Sequence, residues 1–543
     1  MDNRTLIAGN RPVLWGLCLI TFALVFVYHT YPLGLSDFWW HLNTGRWIWS
    51  NGGLPVDDPF LFSSPVPLDA RASLILRGYP LSQLLMLAVY SIGGIYALVV
   101  LKGALMTLFY GLLWNHMRRN GVNAVLALAV VGLVPLMFFR FDELRPQLFS
   151  FIFMLLVIQL VESLLATEKR GKPPRWYMLA ALPVIMLFWA NLHRGFIIGV
   201  GILIVYLLSE WVGRWRANSA SSGALLSRAV SSGTALSGAA FRRFLIVTVV
   251  SAGMAFFNPA GITAMWASFT EVSGPFASVV DEFFGTVKYF GFYGMKWLGY
   301  LIVAVAAIPF LALLYRWRKL SPAHFILAAS FLAAGVYSFR FSLMMVAVLI
   351  AIASGYFAKD INRLFSAGKG IAVILLWLLS AGMLANAAMS RTSLAASPLE
   401  NRVIPSGAVD YLARSGVAGN IYNAFEYGGY MSWRLYPRKI FIDPRNLSWD
   451  VYQDYSKAWR GDYEPVFAKY RIAAVVYPIA DMSTGRPSRL VSGLLGDKRW
   501  EVGYYDGRDI VFIRPDLNSR STILDRQKVV NDIQLRMRGN TTR

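Results

Sequence analysis

Residues 36–50, SDFWWHLNTGRWIWS, place an Asp, a His and four Trp directly after the first long apolar run. If residues 37–49 form a helix, Asp37 and His41 lie four positions apart and share one face. Carboxylates and imidazoles are the side chains that most often move protons in enzymes. The pattern predicts the rim of an active site at the membrane surface. The alternative is an interfacial helix anchored by its four Trp, with Asp37 as the N-cap.

A second group of charged residues lies in the segment RFDELRPQ, which contains Arg140, Asp142, Glu143 and Arg145. The order of the predicted crossings brings Asp142 to the same side of the membrane as Asp37, which makes it the better functional candidate. For Glu143 the alternative is a local set of salt bridges with the neighbouring arginines. Such a set would keep this loop out of the bilayer.

Basic side chains also lie at the ends of predicted crossings on the same side of the membrane as Asp37. His193 and Arg194 belong to WANLHRGF, and Arg340 belongs to SFRFS. The alternative is that they extend toward lipid headgroups. However, arginines on this face run against the positive-inside bias, and a phosphate or pyrophosphate needs such groups. Three weaker candidates precede the crossing at 297–315: Asp281, Glu282 and Lys288.

Two other charged positions have simpler interpretations. Asp57 and Asp58 precede Pro59 and are typical of a turn. Lys102 falls in the middle of a predicted crossing, which indicates either a functional charge or a pair with a neighbouring helix. The sequence contains no Walker A, HExxH or GxSxG motif, so it matches no common soluble-enzyme site.

The composition indicates a polytopic integral membrane protein. Of the 543 residues, 56% are hydrophobic and only 15% are charged, against roughly 25% charged in soluble domains. Basic cytoplasmic loops account for most of the net charge of +22, so nucleic acid is not expected as a partner. The single cysteine, Cys18, allows no intramolecular disulfide.

Apolar runs recur along the chain, each close to the roughly 20 residues that a membrane helix needs. Arg4 and Arg11 favour a cytoplasmic N-terminus. All strongly basic loops then fall on one side, provided that the short segment 80–92 stays at the surface. The positive-inside rule therefore predicts about 11 crossings, at residues 13–33, 95–114, 122–139, 148–164, 177–190, 196–212, 244–257, 297–315, 322–338, 342–357 and 371–388.

After about residue 390 the composition becomes that of a soluble protein. The segments NIYNA, KIFID, IAAVVYP, EVGYY and DIVFIRP are typical of strands. EYGGYMSWRLY and EPVFAKY are typical of helices between them. We therefore predict a transmembrane domain at 1–388 with its first outside loop at 34–94, a small α/β domain at 389–515 and a polar tail at 516–543.

This layout resembles the GT-C superfamily of membrane glycosyltransferases, which includes protein O-mannosyltransferases and lipid A aminoarabinose transferases. In this family an acidic residue heads a juxtamembrane helix in the first outside loop, the place that Asp37 occupies here. A second acidic residue in a later outside loop matches Asp142. The spacing of five residues is similar to the bacterial members: His41, Gly45, Ile48, Gly52 and Pro55. Four segments resemble one bacterial branch with a C-terminal periplasmic α/β domain: RPQLFSFIF, WANLHRGFIIG, FNPAG and GGYMSWRLYPRKIFIDPRN.

The resemblance implies a GT-C-like helical protein of the bacterial inner membrane, with its N-terminus in the cytoplasm and its α/β domain in the periplasm. It also implies inverting transfer of a sugar from a polyprenyl-phosphate donor to an acceptor hydroxyl on a glycan, lipid or protein. Asp37 would be the general base, and Asp142 a second catalytic residue. The substrate-binding residues would be His41, Arg140, Glu143, Arg145, His193, Arg194 and Arg340, of which the arginines and His193 would hold the phosphate.

Metal use is left open by this resemblance. Many members have Asp-Glu at the first site, whereas Phe38 follows Asp37 here, and the chain has no D-x-D. No cofactor is therefore required by the sequence. If a divalent cation binds, its ligands would be Asp37, His41 and Asp142.

Two other functions also fit the sequence. A transporter or flippase of a lipid-linked sugar would place its charges near the middle of the membrane and often shows internal repeats. No repeat is found, and the charged residues gather at one surface. A non-catalytic envelope assembly protein would use the C-terminal domain as a binding module. Convergence of Asp37 and Asp142 on one cavity, open to the bilayer and to the outside, would favour the transferase.

Overall fold

A computed structural model describes residues 11–34, 37–138, 143–219, 236–261, 274–365, 370–391, 399, 404–445, 448–480, 487–517 and 523–540. The chain divides into two compact units. The first contains Met1–Pro32 and Val89–Pro398, and the second contains Leu33–Ala88 and Leu399–Arg543. Most of the predicted first outside loop therefore belongs to the same unit as the C-terminal region.

The first unit is built from apolar helices. Within the described residues, a helix overlaps every predicted crossing: Arg11–His29, Pro80–Arg119, Ala124–Met137, Gln147–Lys169, Trp176–Leu192, Phe196–Ser219, Gly238–Met254, Lys296–Tyr315, Pro322–Tyr337, Ser342–Leu364 and Gly370–Arg391. In this described part of the chain, seven helical segments are long and apolar enough to cross a membrane. Three further apolar helices are shorter: Ala124–Met137, Trp176–Leu192 and Pro322–Tyr337. The membrane character is confirmed, and the count of about 11 crossings stays a prediction.

Residues 80–92, predicted as a separate surface segment, form the beginning of the long helix Pro80–Arg119. The backbone of this helix departs from helical angles at Gly93 and Gly94. Gly94 has a φ of 60°, a conformation that glycine adopts without steric cost. The chain therefore breaks between the two predicted segments, but it does so by a kink within a helix.

Polar pairs join several helices of the first unit. Glu162 Oε1 lies 3.0 Å from His324 Nε2 and accepts a hydrogen bond from the Tyr206 hydroxyl at 3.1 Å. Glu168 accepts two hydrogen bonds from Arg243, at 2.8 and 2.6 Å. These contacts give the charged groups partners within an otherwise apolar bundle, where an unpaired charge would be costly.

The second unit contains a four-stranded sheet in the order β1-β2-β4-β3. The strands are β1 (Asn420–Asn423), β2 (Ile472–Pro478), β3 (Glu501–Tyr505) and β4 (Asp509–Ile513). Strand β1 is parallel to β2, whereas β4 is antiparallel to both β2 and β3. Every residue of β2 is buried, as expected for an inner strand rich in Ile and Val. Four of the five predicted strands are thus confirmed.

The fifth predicted strand, KIFID, does not join this sheet. Ile440 forms an isolated bridge with Leu61. The Asn423 side chain donates to the Ile442 carbonyl at 2.8 Å and accepts from the Phe441 N–H at 3.0 Å. The prediction of a strand is wrong here because a side chain binds backbone groups that a neighbouring strand would otherwise pair.

The second unit also contains helices. They are Asp37–Asn51, Ala70–Arg77, Ser406–Arg414, Gly428–Arg434, Trp449–Trp459, Glu464–Tyr470, Arg489–Gly496 and Arg526–Asn540. The last of these lies in the segment that was predicted as a polar tail. The first packs against Gly428–Arg434, which positions the predicted active-site helix within this unit.

Candidate active site

Asp37 is the first residue of the helix Asp37–Asn51, as the sequence predicts. An acidic side chain is favourable there because the N-terminus of a helix carries partial positive charge. Asp37 is half-buried, and His41, one turn later on the same face, is buried. The His41 ring centroid lies 3.5 Å from that of Trp40 and 5.8 Å from that of Tyr79. The helix thus brings an acid and an imidazole to one side.

The tryptophans of this helix do not form the predicted set of headgroup anchors. Trp39 and Trp40 are buried inside the second unit, whereas Trp49 is 78% exposed. The Trp39 ring packs at 5.2 Å from Tyr430 and at 6.2 Å from Trp433. The prediction is wrong for Trp39 and Trp40 because they pack into the core of the unit.

Asn43 and Arg46 fasten this helix to the C-terminal part of the same unit. Asn43 Nδ2 donates to the Ser432 carbonyl at 3.0 Å. Arg46 Nη2 donates to Asn43 Oδ1 at 2.5 Å and to the Trp433 carbonyl at 3.1 Å. Its guanidinium also lies 4.2 Å from the Trp433 ring and 4.5 Å from the Tyr436 ring, within cation–π distance. These contacts fix the orientation of the helix that carries Asp37.

Asp58, predicted as a turn residue, caps a turn and also belongs to a buried ion triad. Its Oδ1 accepts a hydrogen bond from the Phe60 N–H at 2.8 Å. Arg445 Nη2 lies 3.0 Å from Asp58 Oδ2 and 2.7 Å from Asp443 Oδ2, and all three side chains are fully buried. Burial raises the pKa of Asp58, while Arg445 lowers it and Asp443 raises it. Arg445, which pairs with Asp443 of the same segment, thus binds the loop that follows the Asp37 helix.

In the first unit, Arg145 and Arg340 meet on the carboxylate of Glu282. Glu282 Oε1 accepts from Arg145 Nη1. Glu282 Oε2 accepts from Arg340 Nη2 at 3.0 Å and from Nε at 3.3 Å. The side chains of Arg145, Glu282 and Arg340 are 16%, 19% and 23% exposed. Arg145 therefore has a partner 137 residues away along the chain, and the local salt bridges given as the alternative for Glu143 stay untested.

Short turns between helices hold this cluster. Glu282 lies in the 3-10 turn Asp281–Phe283, and Arg340 lies in the 3-10 turn Phe339–Phe341. The Ser338 hydroxyl donates to the Glu282 carbonyl at 2.9 Å, which joins the two turns. Glu282 and Arg340 are therefore positioned by backbone as well as by their own ion pair.

The arginines keep Glu282 ionised. Burial raises the pKa of Glu282, but the positive charges of Arg145 and Arg340 outweigh burial and lower it to about 2. With Glu282 ionised, the three residues carry one net positive charge. A guanidinium has five N–H donors in a planar fork that fits carboxylates and phosphates. The cluster can therefore bind an anion in addition to Glu282.

His193 directly follows the helix Trp176–Leu192. Its Nδ1 lies 2.7 Å from Ser150 Oγ and accepts a hydrogen bond from the Gly195 N–H at 3.1 Å. Burial lowers the pKa of His193 well below its usual range, and the charges of Arg194 and Arg340 lower it further. Burial and these charges therefore favour a neutral imidazole, and the same Arg340 acts on both His193 and Glu282.

The remaining predicted residues have mixed outcomes. Asp142 and Arg140 lie outside the described residues, so their predicted roles stay predictions. Glu143 and Arg194 are half-buried. Lys102 is buried and donates from Nζ to the Tyr31 carbonyl at 3.0 Å, with the Tyr31 ring centroid 3.3 Å away. Lys102 thus contacts a neighbouring segment, and a functional role for its charge stays a prediction.

Metal binding stays a prediction as well. Among the residues that the structure describes, no group of three or more His, Cys, Asp or Glu side chains is arranged to hold a metal ion. The predicted ligand set contains Asp142, which lies outside that part of the chain. Asp37 and His41 therefore define only a part of the predicted set.

Two residues that contact His193, directly or through one side chain, have little signal in the sequence. Ser150 binds His193, and Trp189 Nε1 donates to Ser150 Oγ at 2.7 Å. The one available signal is that Trp189 and His193 are four positions apart in WANLHRGF. Ser150 lies in an apolar run without a motif, so only the packing of two helices shows its role.

Comparison with known proteins identifies the fold. No protein-family model matches the sequence, and no curated protein matches it either. A structure of the archaeal oligosaccharyltransferase AglB from Archaeoglobus fulgidus, in complex with an inhibitory peptide and a dolichol-phosphate, is similar with a TM-score of 0.54 and 13% identity. The similarity covers 86% of this chain and 69% of that chain.

A structure of the Archaeoglobus fulgidus oligosaccharyltransferase tethered to an acceptor peptide with the NVT sequon is also similar, with a TM-score of 0.55 and 12% identity. The match covers 91% of this chain and 73% of that chain. These structural similarities establish a common fold. At identities this low, they do not establish a common activity. This chain is a membrane protein with the fold of the GT-C glycosyltransferases.

Proposed function

We propose that this chain is a membrane glycosyltransferase that moves a sugar from a polyprenyl-phosphate donor to an acceptor hydroxyl. The observation that supports this most directly is the cluster of Arg145 and Arg340 on Glu282, with His193 in electrostatic range, in a GT-C fold. Arginine forks suit a phosphate, and a net positive charge attracts one. The dolichol-phosphate bound to AglB supports a lipid-linked donor for this fold.

The proposed reaction assigns one role to each group. The Asp37 carboxylate accepts the proton of the acceptor hydroxyl, whose oxygen attacks the anomeric carbon from the face opposite the phosphate. The bond from the anomeric carbon to the phosphate oxygen breaks, and the electron pair leaves with the polyprenyl phosphate. The configuration at the anomeric carbon is therefore inverted. Arg145 and Arg340 stabilise the charge that develops on the leaving phosphate.

We place the reaction at the periplasmic face of a bacterial inner membrane, with the N-terminus in the cytoplasm and the second unit in the periplasm. The one-sided distribution of basic loops supports this orientation. The acceptor hydroxyl would belong to a glycan, a lipid or a protein. If the reaction uses a divalent cation, Asp37, His41 and Asp142 would hold it.

Two other functions would use the same residues differently. A transporter or flippase would bind the lipid-linked phosphate and move it across the membrane with the sugar still attached. A non-catalytic assembly protein would bind envelope components through the second unit and consume no donor. Only the transferase separates the sugar from its carrier.

Reconstituted proteoliposomes with a radiolabelled polyprenyl-phosphate sugar and an envelope extract as acceptor would test the proposal. Arg340→Ala removes two hydrogen bonds and one positive charge, so we expect kcat/KM to fall by about a hundredfold or more. The matched control is Arg316→Ala, which breaks the Arg316–Asp360 pair of 2.7 Å in the same unit and should leave transfer unchanged.

Three outcomes would contradict the proposal. Labelled sugar that crosses the membrane still attached to its carrier would indicate a transporter. An intact donor in every sample would favour the assembly protein. Equal transfer by the Arg340 and Arg316 variants would show that the arginine cluster does not bind the phosphate.

A further inference from the structure

Three side chains from two packed helices form a hydrogen-bonded series at His193. Trp189 Nε1 donates to Ser150 Oγ at 2.7 Å, and Ser150 Oγ lies 2.7 Å from His193 Nδ1. The Gly195 N–H also donates to Nδ1, at 3.1 Å. The sequence WANLHRG thus contains the indole, the imidazole and the glycine of one local network.

The direction of each hydrogen bond follows from the chemistry of its donor. An indole N–H can only donate, so Ser150 Oγ accepts from Trp189. The Ser150 hydroxyl then donates to His193 if Nδ1 is an acceptor. A backbone N–H can also only donate, so Nδ1 must be the acceptor for Gly195. Two donors therefore converge on Nδ1. A neutral His193 must then carry its ring hydrogen on Nε2.

Packing prevents this network from rearranging. Trp189 and Ser150 are fully buried. A side chain at Gly195 would come within 2.8 Å of His193 Nδ1 and would collide with Ser150 Oγ. A glycine is therefore needed at this position for its N–H to reach the imidazole.

The surrounding charges disfavour a protonated ring. Arg194 and Arg340 are both positive, and both lower the pKa of His193. A hydrogen on Nδ1 would in addition face the N–H of Gly195. An imidazolium at this place would therefore suffer both charge repulsion and a lost hydrogen bond.

We propose that Ser150 and Trp189 are positioning residues that hold His193 as the Nε2–H tautomer, so that the ring offers the leaving phosphate a neutral N–H donor. This inference extends the function proposed above, because the phosphate is the leaving group of that reaction. His193 keeps its proton throughout the transfer. It acts neither as a cation nor as a general acid, the two roles more often expected of a histidine beside a phosphate.

Long-range ¹H–¹⁵N spectra of the full chain, labelled at its five histidines, test the tautomer directly. The signals lost in His193→Gln identify His193. We expect an Nε2–H ring that does not change between about pH 5 and 8. In Ser150→Ala, the Nδ1 signal should move toward that of a nitrogen with a weaker hydrogen bond. A charged or Nδ1–H ring in the wild type, or an unmoved Nδ1 signal in Ser150→Ala, would overturn the proposal.

Transfer assays test the role of the neutral donor. His193→Gln keeps a neutral N–H near the place of Nε2, whereas His193→Phe keeps the ring volume and removes the donor. We expect the Gln variant to retain at least about ten times more transfer than the Phe variant, and Ser150→Ala to lose about tenfold, as when an orienting residue is removed. Equal loss in the Gln and Phe variants would indicate a proton or cation role and contradict the proposal.

A matched control separates these effects from general loss of structure. Thr21→Val removes another buried indole bond of the same unit, the 2.8 Å contact from Trp377 Nε1 to Thr21 Oγ1. It should leave the His193 signals and the transfer rate unchanged. A wild type that moves no sugar would contradict the proposed function and the role toward phosphate, whereas the tautomer is decided by the spectra alone.

Discussion

Glu282 provides a quantitative prediction for the arginine cluster. Glu282→Gln keeps the size of the side chain but removes the negative charge shared by Arg145 and Arg340. The two guanidinium groups would then lie close together, largely out of water, without their common counter-ion. We therefore expect the variant to be substantially less stable than the wild type at neutral pH.

The size of the effect follows from the pKa of Glu282. The fall from 4.5 to about 2 corresponds to about 3 kcal/mol, at about 1.4 kcal/mol per pH unit. Removal of one partner from a buried ion pair typically costs about 3–5 kcal/mol, and partial exposure favours the lower end. Because the pKa is lower in the folded chain, this stabilisation is complete above about pH 4.5 and is lost as the pH falls toward 2.

Denaturant titrations in detergent at neutral pH measure the free energy of unfolding. The matched control is Asp360→Asn, which breaks the Arg316–Asp360 pair, whose side chains are 30% and 41% exposed. That exposed pair should contribute less than about 1 kcal/mol. If Glu282→Gln costs no more than Asp360→Asn, the arginine cluster is not held together by this carboxylate and the electrostatic reasoning is refuted.

Three further predictions concern the second unit. Arg445→Met leaves two buried carboxylates without their cation and should lower the free energy of unfolding by about 3–5 kcal/mol. Asp58→Asn should lower it much less. Equal losses of stability in the two variants would contradict the ion triad. Burial raises the pKa of Asp58 above 3.8 in the folded chain. The free energy of unfolding should therefore fall as the pH rises from 3.8 through that raised pKa. The Asp58→Asn variant should lack this pH dependence. Gly45→Ala brings a Cβ against the Gln83 carbonyl and should lower the thermal midpoint of unfolding. The Cβ of Gly53→Ala meets open space, so this control should keep the midpoint of the wild type. Equal midpoints in the two variants would refute the close approach of Gly45 to Gln83.

The sequence predicts the elements of this chain better than their contacts. Apolar runs long enough for a membrane helix can be recognised locally, and each predicted crossing overlaps a helix in the structure. The helix Asp37–Asn51 was likewise predictable from its spacing and its N-terminal acid. By contrast, the break at Gly93 and Gly94 was visible in the sequence, but its form as a kink was not.

The site itself depends on contacts between distant segments. Glu282 was only a weak candidate because its partners, Arg145 and Arg340, are 137 and 58 residues away. The role of Ser150 depends on the packing of one helix against the next. KIFID has the composition of a strand, yet the Asn423 side chain binds its backbone. These outcomes are set by tertiary packing, which overrides local propensity.

Asp37 is the proposed general base of the sugar transfer. Membranes with matched amounts of the wild type or Asp37→Asn would be followed for loss of radiolabelled sugar from polyprenyl-phosphate carriers and for its appearance in other fractions. Asn and Asp are similar in size and Asp37 is the first residue of its helix, so the Asn variant should fold. We expect transfer by the wild type and none by the variant. Equal transfer by both would show that Asp37 only stabilises the start of its helix and is not the general base.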